Sequence, residues 1–265
     1  MFNIALNTFR ELVRNKILYG IVLFAIGFVG LSVVLSTLSL GDTARFVRDL
    51  GLAGVEIFGL VMTLFVGSQL LFKEIDGKTV YLILTKPTPR SAFVLGKFLG
   101  FAMTLAVVMA LQSAAYLGTL WWISGDAPAV LVVLAIVAAY VKLLVTFAIL
   151  LAFSTFTGSF VAILVAMLVY FAAHGVAGII DLATAARTQS AGLKALGTFL
   201  YGALPNFEAL NLKSSLDVPG LPWNTVLGVT FPYALVVANL LYAGAYGSLV
   251  LAAACWSFSR KTFDN

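Results

Sequence analysis

Charged residues are sparse enough along this chain to mark where apolar runs begin and end. None occurs between Lys16 and Asp42, and only Glu56 occurs between Asp49 and Lys73. None occurs from Phe98 to Gly125, and Lys142 is the only formal charge from Ala127 to Ile180. The last stretch, 226–258, has none. A helix needs about 20 apolar residues to cross the hydrocarbon core of a bilayer. The runs predict spans near 17–40, 52–72, 98–123, 128–154, 159–180 and 226–258, with the polar break Ser154-Thr155-Phe156-Thr157-Gly158-Ser159 dividing the longest run. Because the runs are continuous rather than alternating, a transmembrane β-barrel is excluded. The predicted fold is an all-α membrane protein, a single transmembrane domain over 1–265 with about six transmembrane helices.

Residues 1–16 follow another pattern. Phe2, Leu6, Phe9 and Val13 share one helical face, flanked by Ala5 and Leu12, while Asn3, Asn7, Arg10 and Arg14 lie elsewhere on the wheel. That arrangement predicts an amphipathic helix lying in the membrane interface. Two connections, 73–97 and 181–224, are longer than neighbouring helices require. In the second, Leu193, Leu196, Leu200 and Leu204 recur at helical spacing and predict a short helix. Any such segment at membrane depth must be covered by protein or water.

Composition sharpens the class. Of 265 residues, 62% are hydrophobic and 10% charged, against roughly half and a quarter in soluble domains. A soluble fold of this size has too much surface to leave so little polar cover. The first apolar run is too long for a signal-peptide core and no small-residue cleavage site follows it. Cys255 is the single cysteine and His174 the single histidine, which excludes an internal disulfide and a Cys/His metal cluster.

The net charge of +5 does not indicate nucleic acid, because the basic residues sit between apolar runs and act as topology signals. With the N-terminus inside, ten Lys and Arg residues face the cytosol and five face outward, with Lys142 intramembrane. Both termini are therefore expected in the cytosol.

Candidate chemistry is limited. Gly77-Lys78-Thr79 imitates the end of a phosphate-binding loop, but Phe72 stands where the first glycine is required and no strand precedes it. Ser248 and His174 lie on different predicted spans, outside any nucleophile-elbow pattern. No catalytic, cofactor or metal residue is assigned, and the chain itself is not expected to be an enzyme. Three acidic, basic or histidine side chains fall inside spans: Glu56, Lys142 and His174. A charge at mid-bilayer costs about 2.5–3.5 kcal/mol on insertion scales, so Lys142 should face protein or water. Snorkelling, hydrogen bonds to backbone carbonyls and a role in a transport pathway all remain open for it. Glu56 is placed nearer the outer surface, so a direct pair would require the long Lys stem to bridge a depth mismatch.

The segment Lys73-Glu-Ile-Asp-Gly-Lys-Thr-Val-Tyr-Leu-Ile-Leu-Thr-Lys-Pro-Thr-Pro-Arg-Ser-Ala-Phe-Val-Leu-Gly-Lys97 resembles the loop after the second span in permease subunits of the type-2 ABC exporter family. The matching positions are Glu74, Gly77, Thr79, Leu82, Leu84, Lys86, Pro87, Arg90, Gly96 and Lys97. Leu204-Pro205-Asn206-Phe207 with Asn211, and the tail Phe258-Ser259-Arg260-Lys261-Thr262-Phe263, are further points of likeness. The resemblance implies a multi-pass subunit of a prokaryotic cell inner membrane, paired with a second permease as a homodimer or heterodimer. It also implies two copies of a separate ABC-type ATPase subunit that hold ATP and Mg, with membrane lipid around the assembly.

The loop would dock on the ATPase through Glu74, Gly77, Lys78, Thr79, Tyr81, Leu82, Leu84 and Arg90. An apolar run, Val80 to Leu84, is otherwise out of place in a cytosolic loop. The alternative readings are a channel or membrane assembly subunit without ATP coupling, and beyond it an intramembrane hydrolase.

The orientation is testable. A cysteine introduced as Ser215→Cys is expected to react with an impermeant thiol reagent in whole cells, and Asn265→Cys is not. The reverse labelling pattern would overturn the assignment.

Overall fold

The computed structural model describes residues 1–36, 43–76, 89–124, 130–184, 195, 198–199, 201–212, 225–226, 229–230 and 233–260. Its helices are α1 (Phe2–Val13), α2 (Lys16–Ser36), α3 (Thr43–Val61), α4 (Gly67–Asp76), α5 (Arg90–Ser124), α6 (Val130–Ser154), α7 (Ser159–Thr184) and α8 (Tyr233–Arg260). A π-helical turn, Met62–Val66, joins α3 to α4, and a 3₁₀ turn spans Glu208–Leu210. The chain is an all-α membrane protein, apart from a two-residue ladder pairing Thr225–Val226 with Val229–Thr230. Among the described residues, five helical stretches are long and apolar enough to cross a bilayer: Lys16–Ser36, Arg45–Leu70, Arg90–Ile123, Val130–Ser154 and Ala234–Arg260. Within α7, Ser159–Gly175 is a shorter apolar stretch.

Helix is the form these runs adopt because lipid offers no partners to backbone amides. Several serine and threonine hydroxyls among them turn back on their own helices. Ser32 donates to the Val29 carbonyl, Thr63 to Gly59, Thr104 to Gly100 and Thr146 to Lys142. Such back-bonding lets a hydroxyl sit among apolar neighbours without an orphaned donor.

Several boundaries differ from those expected. The second apolar helix starts at Thr43 rather than 52 and continues through the π turn into α4. The segment expected as a loop over 73–97 is helical at both ends, since 73–76 close α4 and Arg90–Lys97 open α5. Pro89 precedes α5 and its carbonyl accepts from the Ala92 amide, the position where proline fits a helix start. At 35 residues α5 is roughly 50 Å long, well beyond the roughly 30 Å of a hydrocarbon core. The last helix begins at Tyr233 rather than 226, and Thr225–Val226 and Val229–Thr230 are instead paired in the short ladder.

The packing centres on α6, which contacts α3, α4, α5, α7 and α8. Fifteen of its 25 residues are buried, Phe147, Leu143 and Leu150 among the most enclosed. Helices α2 and α8 lie at the periphery and expose apolar side chains such as Leu23, Phe24, Leu241 and Leu249.

Helix α1 lies along α5. Its buried stripe is Ala5, Thr8 and Leu12, with Phe2 left 72% exposed. The face that packs is thus rotated from the Phe2–Leu6–Phe9–Val13 face expected to be the most apolar. The cause is on α5, where Gly96 and Gly100, four residues apart, open a groove. A Cβ at Gly96 would lie 2.8 Å from the Ile4 Cβ, and one at Gly100 would lie 2.7 Å from the Ala5 carbonyl oxygen. Small residues at this spacing let two helices approach closely. Lys97, between them, sends its ammonium to within 3.8 Å of the Glu11 carboxylate.

Gly100→Leu is therefore expected to lever α1 off α5, with a loss of about 1–3 kcal/mol typical of overpacking. Gly118→Leu, where a Cβ meets nothing within 4 Å, is the matched control. Unfolding midpoints in detergent and chymotryptic cleavage of α1 distinguish the two. Equal behaviour of both variants would contradict the groove.

Candidate functional site

The helix lengths decide which polar residues meet. Glu56 lies eleven residues from Arg45 and fourteen from Leu70 along its apolar stretch, and Lys142 is the midpoint of α6. Starting the second helix at Thr43 therefore moves Glu56 from near one surface to the same mid-helix zone as Lys142. No depth mismatch remains to be bridged.

The Lys142 Nζ donates to Glu56 Oε1. Both side chains are deeply buried, Lys142 at 3% and Glu56 at 6% exposure. Helix α7 supplies two further partners one turn apart. The Tyr170 hydroxyl donates to the same carboxylate oxygen at 2.8 Å. The His174 Nε2 stands 3.6 Å from Glu56 Oε1 and 3.5 Å from Lys142 Nζ. His174 Nδ1 lies 2.9 Å from the Tyr170 carbonyl oxygen. A carbonyl only accepts, so Nδ1 carries the hydrogen, and Nε2 is the nitrogen turned to the charged pair. Three helices, α3, α6 and α7, are thus tied through one carboxylate oxygen.

Residues 201–212 close over this cluster. Phe207 is 1% exposed, and its ring sits 5.7 Å from that of Tyr170 and 5.5 Å from that of His174. Its amide donates to the Ala173 carbonyl at 3.2 Å. Asn206 Oδ1 caps the following 3₁₀ turn at the Ala209 amide, and Asn239 on α8 donates to the Ala209 carbonyl. The Leu-Pro-Asn-Phe motif is therefore a cover held between α7 and α8, which meets the requirement that irregular backbone near lipid be protected. Of the short helix expected at 193–204, residues 195, 198–199 and 201–203 are helical, and Leu193, Leu196 and Leu200 lie outside the described residues.

At the other end of the bundle, Arg90 opens α5 and its guanidinium donates to the Ser259 carbonyl in the last turn of α8 at 3.1 Å. Phe93 stacks on Phe258 with centroids 5.7 Å apart, and Thr155 meets Ser257 at 2.9 Å. A basic group on a helix C-terminus satisfies orphan carbonyls and the negative end of the dipole. The loop and tail motifs, far apart in sequence, are joined here. Of the other residues expected to meet an ATPase, Glu74 lies in α4, while Gly77, Lys78, Thr79, Tyr81, Leu82 and Leu84 lie outside the described residues.

Among the described residues, no three His, Cys, Asp or Glu side chains converge as a metal site would require. What the mid-helix cluster does is hold opposite charges together at a depth where neither is stable alone. Tyr170 was missed by sequence reasoning. Its only signal is its position four residues before His174, on the same face of α7.

Comparison with protein families matches residues 2–263 to the model described as ABC-2 family transporter protein. Comparison with curated proteins finds no match.

Removing one member of a buried ion pair typically costs about 3–5 kcal/mol, whereas replacing both by apolar groups is often neutral. Glu56→Leu and Lys142→Leu are each expected to lower the melting temperature of the detergent-solubilised protein substantially. The double variant should recover most of the loss. Additive losses would show that the two side chains do not act as a pair.

Proposed function

Because the chain belongs to the ABC-2 transporter family, we propose that it is the membrane-spanning permease subunit of an ATP-binding cassette exporter, driven by a separate ATPase chain. The family match over residues 2–263 carries this reading. Two permeases and two ATPase subunits would form the working unit in a prokaryotic inner membrane, with both termini cytosolic. ATP and Mg would be held by the ATPase, and this chain would supply the path.

The architecture is suited to such a task. Helix α4 leads into 77–88 and α5 leads out of it, so force on that segment is delivered to two helices. Through α4 and the π turn it reaches α3 and Glu56. Through α5 it reaches Arg90 and the end of α8. π turns inside helices often mark places where a helix changes register. In this mechanism the ATPase pulls on 77–88, α3 and α4 shift across the π turn, and the Glu56–Lys142–Tyr170–His174 cluster is the electrostatic latch of the resting state. Apolar anchors usually dominate a docking interface, while rim charges adjust orientation and rate. Tyr81, Leu82 and Leu84 would enter a cleft on the ATPase, with Glu74 and Lys78 at its rim.

Leu82→Asp and Leu84→Asp are accordingly expected to release the ATPase during copurification or to abolish transport-linked ATP hydrolysis, since a buried unpaired carboxylate is strongly unfavourable. Lys78→Ala should have a smaller effect. An intact, fully active complex carrying either aspartate would overturn the docking assignment and favour a subunit without ATP coupling.

A further inference from the structure

The corner between α1 and α2 faces α4 across a cavity of about 430 Å³. Arg14 and Lys16, both exposed, line it together with Glu11 and Gln69. Leu12 and Leu70, each 4% exposed, form its apolar part. Glu11 does not cancel the basic pair, because its carboxylate lies 3.8 Å from the buried ammonium of Lys97 on α5. Asn15 also borders the cavity, and its Oδ1 caps α2 by accepting from the Ile17 amide at 3.0 Å. The N-terminal end of this 21-residue helix, the positive end of its dipole, therefore borders the same cavity.

Apolar surface begins immediately beside this basic cavity. Ile17 and Tyr19, in the first turn of α2, are 47% and 58% exposed. A free inorganic anion needs no such neighbour. An amphiphile with a negative head and hydrocarbon tails matches both halves of the surface.

We propose that this cavity binds the headgroup of an anionic phospholipid, with Arg14 and Lys16 on its phosphate and its acyl chains along Ile17 and Tyr19. The inference rests on α1 lying in the membrane interface and is independent of ATP coupling. Its occupant would brace α1 against α4. Since α1 also docks on α5, the lipid would steady both helices that flank 77–88.

The test uses the full chain in nanodiscs of equal phosphatidylglycerol and phosphatidylcholine, with retained lipid read by native mass spectrometry after release. Phosphatidylglycerol is expected to be retained in preference. Each basic residue at an anionic surface contributes roughly fivefold, so the Arg14→Gln/Lys16→Gln variant should bind about thirtyfold more weakly. The charge-preserving Arg14→Lys/Lys16→Arg variant should keep the preference. Arg10→Gln, on an exposed residue outside the cavity, should cost no more than the roughly fivefold of a single surface charge, and millimolar inorganic phosphate should not displace the lipid. The proposal is overturned if phosphatidylglycerol is not preferred, if Arg10→Gln costs as much as the double variant, or if inorganic phosphate displaces the lipid and marks a soluble-anion site.

Discussion

A lysine ammonium and a glutamate carboxylate at the middle of membrane-spanning helices constrain everything packed around them. Each alone would have to be drawn to the surface or neutralised, and only together do they tolerate so dry a position. Lys142 sits on the helix that most others touch, and Glu56 on the helix that leads toward 77–88. Their contact sets the relative depth of α3 and α6. Tyr170 and His174 extend that constraint to α7, and Phe207 closes the cluster beneath the 201–212 segment. Thr63, Thr104 and Thr146 bond within their own helices, whereas Tyr140, two residues from Lys142, adds a second interhelical tie by donating to the Ala102 carbonyl on α5 at 3.0 Å.

That constraint connects with the two ends of the molecule by covalent continuity. Helices α3 and α4 are one rod interrupted by a π turn, with buried Met62, Thr63, Leu64 and Val66 in the interruption. An α-helix transmits displacement along its axis, whereas a π turn is a place where one residue more or less can be accommodated. The rod therefore combines a stiff arm leading into 77–88 with an adjustable joint that begins six residues after Glu56. The other arm, α5, is tied at its start to the last turn of α8 through Arg90 and the Phe93–Phe258 stack. Movement of 77–88 cannot be confined to one helix.

Much of the fold was legible because bilayer burial writes itself as charge-free runs, and such runs were long and cleanly bounded here. The helix starting at Thr43 was less so. Arg45, Arg48 and Asp49 look like loop residues, yet Arg45 and Asp49 form an i,i+4 pair that lets a helix carry its charges past the apolar run. That extension is what brings Glu56 level with Lys142, so the pair itself was obscured although both residues were singled out. The seat of α1 was hidden for a different reason. Its apolar face is read from side-chain size, but its packing is decided by the absence of side chains at Gly96 and Gly100 on a helix far along the chain. The joining of Arg90 to Ser259 is likewise a long-range contact that no local pattern encodes. The Leu-Pro-Asn-Phe motif was visible as a motif, while its role as the cover of His174 depends on α7 and α8 being neighbours of the same segment.

Glu56 and Lys142 are in direct contact inside the bundle. Solid-state NMR on the full chain in lipid bilayers, with ¹⁵N at lysine side chains and ¹³C at glutamate carboxyls, measures this without perturbing the pair. A strong Nζ-to-carboxyl dipolar coupling is expected, lost in both Lys142→Met and Glu56→Gln, together with a Lys142 ammonium shielded from water exchange. A Lys142 resonance in rapid exchange with water and without that coupling would contradict it.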